Sequence, residues 1–303
     1  MSAKDFRTSR WARLGKLGAA TLGASAGYMG NKVGDLLRDA EGRAEAKSKR
    51  LGAAGRRLAE TMGELKGAAM KLGQLLSIDN ELLPEEMRRA LSVLQRQAPA
   101  MPFSQVKFLV EERLEAPLSE FFSHFDEQVL GAASLGQVHA ATLIDGQAVA
   151  IKVQYPGIAK TIGADMANLR ALLKVTPVPG LKGRVDPYID ELTKAFVGEA
   201  DYRNEAANLT LFNDLIEGID GLVVPRPVLD LCRPELLVME RLEGRLLGTA
   251  WPTLDAPERN RIGTTLIRFY AETFHRHQWL HADPHPGNFL LLESGELGIL
   301  DFG

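Results

Sequence analysis

Cysteine is almost absent from this sequence, which has 303 residues and a single cysteine, Cys232. One cysteine forms no internal disulfide, so the chain fits a reducing compartment and a disulfide-stabilised secreted scaffold is excluded. No uncharged run reaches the roughly 20 residues that a simple transmembrane helix needs. Positive charge is not in excess either, because 36 Lys and Arg against 39 Asp and Glu give a net charge of −3. The composition therefore gives no general reason to expect nucleic acid as a partner.

The composition that remains is that of an ordinary globular protein. Hydrophobic residues make up 45% of the chain and charged residues 25%, which disfavours a disordered or collagen-like chain. The length is too great for a minimal single core and suits about two domains.

The first residues are more basic than the rest, with 13 Lys and Arg against 6 Asp and Glu in residues 1–60. Residues 17–31 carry no charge, and the glycines at 23, 27, 30 and 34 form small-xxx-small pairs. Such spacing suits close helix packing in a membrane or a homodimer, and a basic flank suits anionic lipid. A flexible linker and a signal peptide are the alternatives. We expect a cytoplasmic chain that is peripheral to, or anchored in, a membrane through residues 7–34.

Hydrophobic periodicity divides the remainder into an α-helical part and a mixed part. Residues 39–125 are predicted to form an α-helical unit, and near Val129 the hydrophobic pattern changes to that of a strand. A strand, an Asp145-Gly146 turn and a second strand follow. The helices expected from the pattern are 39–77, 82–97, 104–115, 158–174, one long helix from Asp186-Pro187 to about Ile216, and one from Ile262. The strands expected are 138–143, 148–153, 236–240, 289–292 and 297–300, the last two joined at Ser294-Gly295.

Three short motifs carry the chemistry of phosphoryl transfer. Val-Ala-Ile-Lys ends at Lys152, and a lysine on a rigid strand can neutralise nucleotide phosphates. His281-Ala-Asp283 is followed by Asn288, the H-x-D-x-x-x-x-N spacing of a kinase catalytic loop. Asp301 then opens Asp-Phe-Gly after a short hairpin, which brings it to the same end as Asn288. Each piece alone is compatible with an ordinary turn or strand edge, but the order and spacing together predict a Mg-nucleotide site.

Two further segments fit such a site. A strand lysine needs a carboxylate from a neighbouring helix, and the helix from Asp186 offers Glu199, Asp201 and Glu205. Residues 237–242 read as a hinge in which backbone groups near Glu240 and Leu242 meet adenine, although the run also fits a plain core strand.

A metal hydrolase is an alternative, because imidazoles and a carboxylate can hold zinc. The residues concerned lie within eleven positions: His275, His277, His281, Asp283 and His285. The sequence has neither H-E-x-x-H nor a cysteine pair, which disfavours this interpretation.

The Gly-rich loop of protein kinases is missing. Gly131 to His139 reads GAASLGQVH where that loop should lie, and Lys71-Leu-Gly-Gln74 stands upstream. With Glu199-Ala-Asp201, these marks resemble the UbiB family of atypical kinase-like proteins, in its branch that supports coenzyme Q biosynthesis. The similarity runs from about residue 50 to the end.

The resemblance implies an α+β, protein-kinase-like fold with a helical extension over the peptide-substrate side. The implied domains are a basic Gly/Ala-rich segment at 1–38, the K-x-G-Q extension at 39–128, a kinase-like N-lobe at 129–244 and the start of a C-lobe at 245–303. Relatives continue beyond the point where this sequence stops, so we expect an incomplete C-lobe and an activity that depends on the full-length parent.

The resemblance also implies roles for individual residues. Lys71 is expected to pair with Glu199, and Lys152 with Glu205. The expected catalytic set is Asp283, Lys152, Glu205, Lys71, Glu199 and Asp201; the metal ligands are Asn288 and Asp301; and the nucleotide contacts are Ala132, Ala133, Ser134, Lys152, Glu240 and Leu242. Gly131 replaces the first alanine of the family's loop, and this replacement is expected to alter the preference between ATP and ADP.

The function that the resemblance implies is an atypical kinase or ATPase that uses Mg²⁺ with ATP or ADP and supports ubiquinone or related prenyl-lipid synthesis. Expected partners are nucleotide, anionic lipid, and quinone-precursor lipids or their biosynthetic enzymes, with no nucleic acid. A non-catalytic, nucleotide-sensing pseudokinase that binds lipid or a biosynthetic complex is the alternative. An ordinary protein kinase is disfavoured by the Ala-rich loop and the K-x-G-Q unit.

Overall fold

The computed structural model describes residues 100–133, 135–175 and 185–303. Contacts divide the chain into two units, and the described part of the second comprises 100–156 and 198–303. The helices, in chain order, are α1 (Phe103–Leu114), α2 (Ile158–Val175), α3 (Val185–Glu199), α4 (Tyr202–Leu215), α5 (Leu247–Ala250) and α6 (Ala256–Ala271). The strands are β1 (Phe122–Ala133), β2 (Gly136–Leu143), β3 (Ala148–Gln154), β4 (Leu222–Val223), β5 (Leu236–Glu240), β6 (Gly244–Leu246), β7 (Phe289–Leu292) and β8 (Leu297–Ile299).

The larger sheet is antiparallel throughout, with the strand order β1-β2-β3-β5. Strand β3 is buried on both faces, so its alternate side chains serve two cores. Val149, Ile151 and Val153 belong to one core together with apolar residues of α1. Ala150 belongs to the other, which contains the apolar face of α4. Lys152 shares the parity of Ala150 and therefore faces α4.

The second sheet has the order β4-β8-β7-β6, with β4 parallel to β8 and the other pairs antiparallel. The β7–β8 hairpin turns at Ser294-Gly295, where Gly295 has a φ of +84°, a conformation that glycine adopts without strain. The hairpin predicted from the sequence is therefore confirmed. Its open end places Asn288 beside the start of the Asp301 motif, since the Leu300 amide donates to the Asn288 carbonyl at 2.9 Å.

The long helix predicted from Asp186 to Ile216 is wrong, because the chain forms α3 and α4 with a break between them. Asp201 is extended (φ −116°, ψ 98°), and its side chain accepts the Arg203 amide as the N-cap of α4. Asp competes with helical backbone hydrogen bonds and so favours caps over helix interiors. The first of the two helices starts close to the predicted position, since α3 begins at Val185 with Asp186 in its first turn.

Strand β1 begins at Phe122, inside the range predicted as helical, rather than near Val129. The Phe122 and Phe125 rings meet edge to face at 5.5 Å, and Phe122 pairs with Leu143 of β2. The three polar residues between Phe125 and Val129, of which Glu127 and Gln128 are exposed, interrupt the apolar alternation, and the register of β1 is irregular, so the sequence does not show a strand period here. The other expected elements within the described ranges are present to within a few residues, except that the last helix begins earlier, at Ala256. Those at 39–77 and 82–97 lie outside the described residues.

Gly136 provides a test of how closely β2 and β3 pack. A Cβ atom on Gly136 would lie 2.1 Å from the Val153 carbonyl oxygen, so we expect Gly136→Ala to lower the free energy of unfolding by about 1–3 kcal/mol. Urea denaturation measures this. Gly131→Ala is the matched control, because a Cβ there meets nothing within 4 Å. Equal stability of the two variants would contradict the prediction.

Candidate nucleotide site

A buried ion pair lies at the centre of the candidate site. The Lys152 Nζ donates to Glu205 Oε1 at 2.6 Å and Oε2 at 2.8 Å. Lys152 is 7% exposed and Glu205 3% exposed. Glu205 lies in the first turn of α4, and the described structure therefore brings together the lysine and glutamate that were expected to pair.

The two charges of this pair depend on each other. Burial disfavours protonation of Lys152, but the carboxylates of Asp301 and Glu205 outweigh it and raise the pKa of Lys152. Burial raises the pKa of Glu205, and the Lys152 ammonium opposes that shift. Bidentate contact at these distances favours the charged pair, since each ion compensates the other in a site with little water.

Asp301 brings a second carboxylate to the lysine. Its Oδ1 lies 3.8 Å from Lys152 Nζ, and its side chain is 41% exposed. The Gly303 amide donates to the same oxygen at 3.1 Å. Lys152 thus links a buried carboxylate to one that faces solvent, where a ligand can reach it.

The catalytic-loop residues meet at the open end of the β7–β8 hairpin. The Asn288 Nδ2 donates to Asp283 Oδ2 at 2.8 Å and to the Asp283 carbonyl at 3.2 Å. Because the Asn288 Nδ2 is engaged with Asp283, the Asn288 Oδ1 is the atom left to coordinate a cation. Amide and carboxylate oxygens suit Mg²⁺, which protein sites hold through one or two such groups together with substrate phosphates. Asn288 and Asp301 therefore fit the metal role expected of them.

His281 fixes the backbone of Asp301. Its Nε2 lies 2.5 Å from the Asp301 carbonyl, so this nitrogen carries the proton and donates. The ring is 5% exposed and is surrounded by other rings, namely those of Phe212, Phe269, Tyr270, Phe289 and Phe302. Through His281, the main chain of Asp301 is thereby hydrogen-bonded to a ring cluster that includes aromatic side chains of α4 and α6.

The histidine-rich run does not form a zinc site in the part of the chain that the structure describes. His281 is engaged with Asp301, and the His285 Nδ1 accepts the Gly287 amide at 3.1 Å. Within the described ranges, no group of three or more His, Cys, Asp or Glu side chains is arranged to bind a metal. The donor geometry thus disfavours the hydrolase alternative.

The Ala-rich segment forms a tight hairpin instead of an open loop. Ala132 and Ala133 are the last residues of β1 and pair with Gln137 and Gly136. Ser134 lies outside the described residues. Leu135 is fully buried, and its carbonyl accepts the Tyr155 amide at 2.9 Å. The alanines therefore lie at the tip of the β1–β2 hairpin, at the end of β3 that carries Lys152.

Two buried polar side chains, which the sequence reasoning missed, support this hairpin. Gln137 Oε1 accepts the Met101 amide at 2.7 Å, which leaves its Nε2 to donate to His139 Nε2 at 2.8 Å. His139 is then protonated on Nδ1, which donates to the Asp126 carbonyl at 3.0 Å. Gln137 directly follows Gly136, and His139 comes two positions later on the same face of β2. Two polar residues at successive inward positions of a strand were the available signal.

The expected hinge follows β5. Glu240 is the last residue of that strand and pairs with Val149. Leu242 lies outside the strands, and among the described residues its backbone N–H and carbonyl have no hydrogen-bond partner. A free donor and acceptor at this point are what an adenine ring would require.

The E-x-D residues lie at the break between α3 and α4. Glu199 is the last residue of α3. It lies close to the Asp-Phe-Gly motif, because a Cβ atom built on Gly303 would be 3.8 Å from the Glu199 Cγ. Asp201 caps α4 and binds the Arg203 side chain, with Arg203 Nη2 to Asp201 Oδ2 at 2.6 Å. This hydrogen bond lowers the pKa of Asp201. Lys71, the expected partner of Glu199, lies outside the described residues, so that pairing stays a prediction.

A strand lysine paired to a helix glutamate, with a carboxylate and an amide at the end of a hairpin, defines a protein-kinase-like protein. Residues 93–303 match the model of the ABC1 atypical kinase-like domain, and the chain belongs to that family. This confirms the kinase-like, α+β fold and the resemblance expected from the motifs.

Several curated relatives carry kinase names, and two of them illustrate the similarity. The chain is 33% identical over 300 residues to "Atypical kinase COQ8B, mitochondrial" of Rattus norvegicus, with 97% of this chain and 56% of the relative covered. It is 36% identical over 244 residues to "Probable protein kinase UbiB" of Pseudomonas putida (strain W619), with 78% and 45% covered. Across the curated relatives compared, this chain spans 33% to 56% of the relative's length.

A solved structure gives the same fold. It is the complex of Rv3197 and erythromycin from Mycobacterium tuberculosis, which superposes with a TM-score of 0.59 at 34% sequence identity. The match covers 86% of this chain and 66% of that one.

None of the helices within the described ranges has both the length and the apolar character to cross a bilayer. The segment 7–34, expected to contact a membrane, is not among these residues, so its role stays a prediction.

Proposed function

We propose that this chain binds Mg²⁺ with ATP or ADP and acts as an atypical kinase or ATPase. The observation that carries the proposal is the cluster of Lys152, Glu205 and Asp301, joined through the β7–β8 hairpin to Asp283 and Asn288. Phosphoryl transfer depends mainly on positioning and on compensation of charge. In this proposal the cluster provides a cation for the phosphates and two oxygen ligands for a metal. It also provides a carboxylate, that of Asp283, next to the position of the attacking nucleophile.

Each group has a distinct part in the proposed reaction. Lys152, held by Glu205, binds the α- and β-phosphates. Bound Mg²⁺ would supply charge neutralisation, and Asn288 and Asp301 are the residues that would hold it. Asp283 orients the nucleophile, or accepts its proton, at a carboxylate oxygen. The nucleophile is water for an ATPase, or a hydroxyl of a small lipid-like acceptor for a kinase.

We further propose that the activity supports synthesis of ubiquinone or a related prenyl lipid. The K-x-G-Q and E-x-D motifs and the relatives named COQ8B and UbiB support this assignment. Turnover measured with and without anionic liposomes tests the lipid connection, and an unchanged rate would contradict it.

Asp301→Asn tests the nucleotide site. At about 100 times its dissociation constant, Mg-ADP should add about 2.7 kcal/mol to the free energy of unfolding of the wild type. We expect the variant to lose this stabilisation, because the amide cannot match a carboxylate as a metal ligand. Thermal melting with and without Mg-ADP measures the stabilisation of the wild type and of the variant.

The matched control is Asp214→Asn, which removes the same charge from an exposed position on α4 and should keep the stabilisation. A cooperative melt without any shift in the wild type would overturn the nucleotide proposal. Binding without turnover would instead support the nucleotide-sensing pseudokinase.

A further inference from the structure

Tyr202 is a buried aromatic residue in direct contact with the lysine of the site. It is 2% exposed, and its ring centroid lies 5.5 Å from Lys152 Nζ. That distance is within the range over which an ammonium is attracted to the face of an aromatic ring, and the attraction is strongest where water is excluded. Lys152 therefore has an aromatic neighbour as well as its carboxylate partner.

The start of α4 determines which residues reach the lysine. Tyr202 is the first residue of α4, directly after the Asp201 cap, and its amide donates to the Pro234 carbonyl at 2.9 Å. Glu205 follows three positions later, and residues at this spacing share one face of a helix. The helix thus presents Tyr202 and Glu205 to Lys152 together.

Within the described part of the chain, the buried Tyr202 hydroxyl has no hydrogen-bond partner. Burial raises the pKa of Tyr202, so the hydroxyl stays neutral near Lys152. An unsatisfied buried hydroxyl is unfavourable for folding, which leaves the ring as the part of the side chain that acts on the lysine.

We propose that Tyr202 is a positioning residue of the nucleotide site, whose ring, together with the Glu205 carboxylate, holds the Lys152 ammonium where nucleotide phosphates meet it. A lysine side chain has four rotatable bonds and a compact charge, so a carboxylate alone leaves it free to pivot. The ring restricts that movement before the nucleotide arrives. This inference rests on the proposed nucleotide function.

Two substitutions separate the ring from the hydroxyl. Tyr202→Leu removes the ring, and we expect Mg-ADP to bind about tenfold more weakly, as a desolvated cation–π contact implies. Tyr202→Phe keeps the ring and removes only the unpartnered hydroxyl, so it should bind like the wild type and melt at the same or a higher temperature. Calorimetric titration with Mg-ADP, at a temperature where circular dichroism shows each variant folded, measures the affinities.

Phe122→Leu is the control for loss of a buried ring as such, since Phe122 is 5% exposed and belongs to the core on the α1 face of the sheet. It should lower the melting temperature and leave the affinity unchanged. Equal affinities of Tyr202→Leu and the wild type would overturn the inference, as would a loss in Tyr202→Phe as large as that in Tyr202→Leu. A wild type that does not bind Mg-ADP would overturn the proposed function, and this inference with it.

Discussion

Replacing Lys152 by methionine should lower the free energy of unfolding by about 3–5 kcal/mol, the loss typical when one member of a buried ion pair is removed. Methionine keeps most of the length of the side chain and removes its charge. Glu205, which is 3% exposed, then keeps a charge without its cation, and the change also removes the ammonium that lies 3.8 Å from Asp301 Oδ1. Urea denaturation at pH 7 measures the change.

The pH dependence of this variant follows from Glu205. Burial raises the pKa of Glu205, and in Lys152→Met no ammonium opposes that shift. A carboxyl group whose folded-state pKa is raised destabilises the fold increasingly as pH rises through that pKa. The deficit relative to the wild type should therefore be smallest below the ordinary carboxyl pKa and grow toward neutrality.

The double variant Lys152→Met with Glu205→Leu distinguishes two causes of the lost stability. One is the loss of the ion pair itself, and the other is the buried Glu205 charge that remains without a cation. Replacing both members of a buried ion pair by apolar groups is often neutral or stabilising, so most of the stability should return at pH 7. A double variant as unstable as the single one would contradict this explanation. So would a single variant as stable as the wild type.

Much of this site could be predicted because its residues stand at fixed distances along the sequence. The H-x-D-x-x-x-x-N spacing and the hairpin before Asp301 bring Asp283, Asn288 and Asp301 together through short-range geometry alone. The alternation of β3 likewise assigns Lys152 to one face of its strand. Local periodicity and turn chemistry are properties that a single sequence contains.

Contacts between distant segments were harder to predict. The residue pattern of 186–216 is compatible with one continuous helix. The structure shows the break through the Asp201 cap and through two hydrogen bonds to distant segments, from the Tyr202 amide to the Pro234 carbonyl and from the Gln154 side chain to the Ala200 carbonyl. The position of that break decides which residues of α4 face Lys152. Tyr202 was consequently missed as a neighbour of the lysine, although it stands next to the recognised E-x-D motif.

The buried polar residues of β2 show the same limit. Gln137 and His139 occupy inward positions where a strand pattern predicts apolar side chains. Their partners are backbone groups of Met101 and Asp126, distant in sequence, and no periodicity indicates such pairing. A polar residue at an inward strand position indicates that it has a hydrogen-bond partner, but the sequence does not show which residue that partner is.

Asp283→Asn should reduce ATP hydrolysis by about 10²- to 10⁴-fold, the contribution typical of a general base, and leave Mg-ADP binding largely intact. Asparagine keeps the size of the side chain and an oxygen that can accept the Asn288 amide proton, as Asp283 Oδ2 does at 2.8 Å. It loses the negative charge and the ability to take a proton from the nucleophile. Phosphate release under single-turnover conditions, measured beside Mg-ADP affinity, separates these effects.

The two measurements on this variant distinguish a catalytic carboxylate from a structural one. If Asp283 served only to hold the loop, its isosteric amide would preserve the hydrogen bond to Asn288, and turnover would persist. If Asp283 were itself a metal ligand, affinity for Mg-ADP would fall together with the rate, as expected for Asp301→Asn. Loss of turnover with retained affinity is the pattern that only a group acting on the nucleophile produces, because such a group contributes to the transition state and not to the bound ground state.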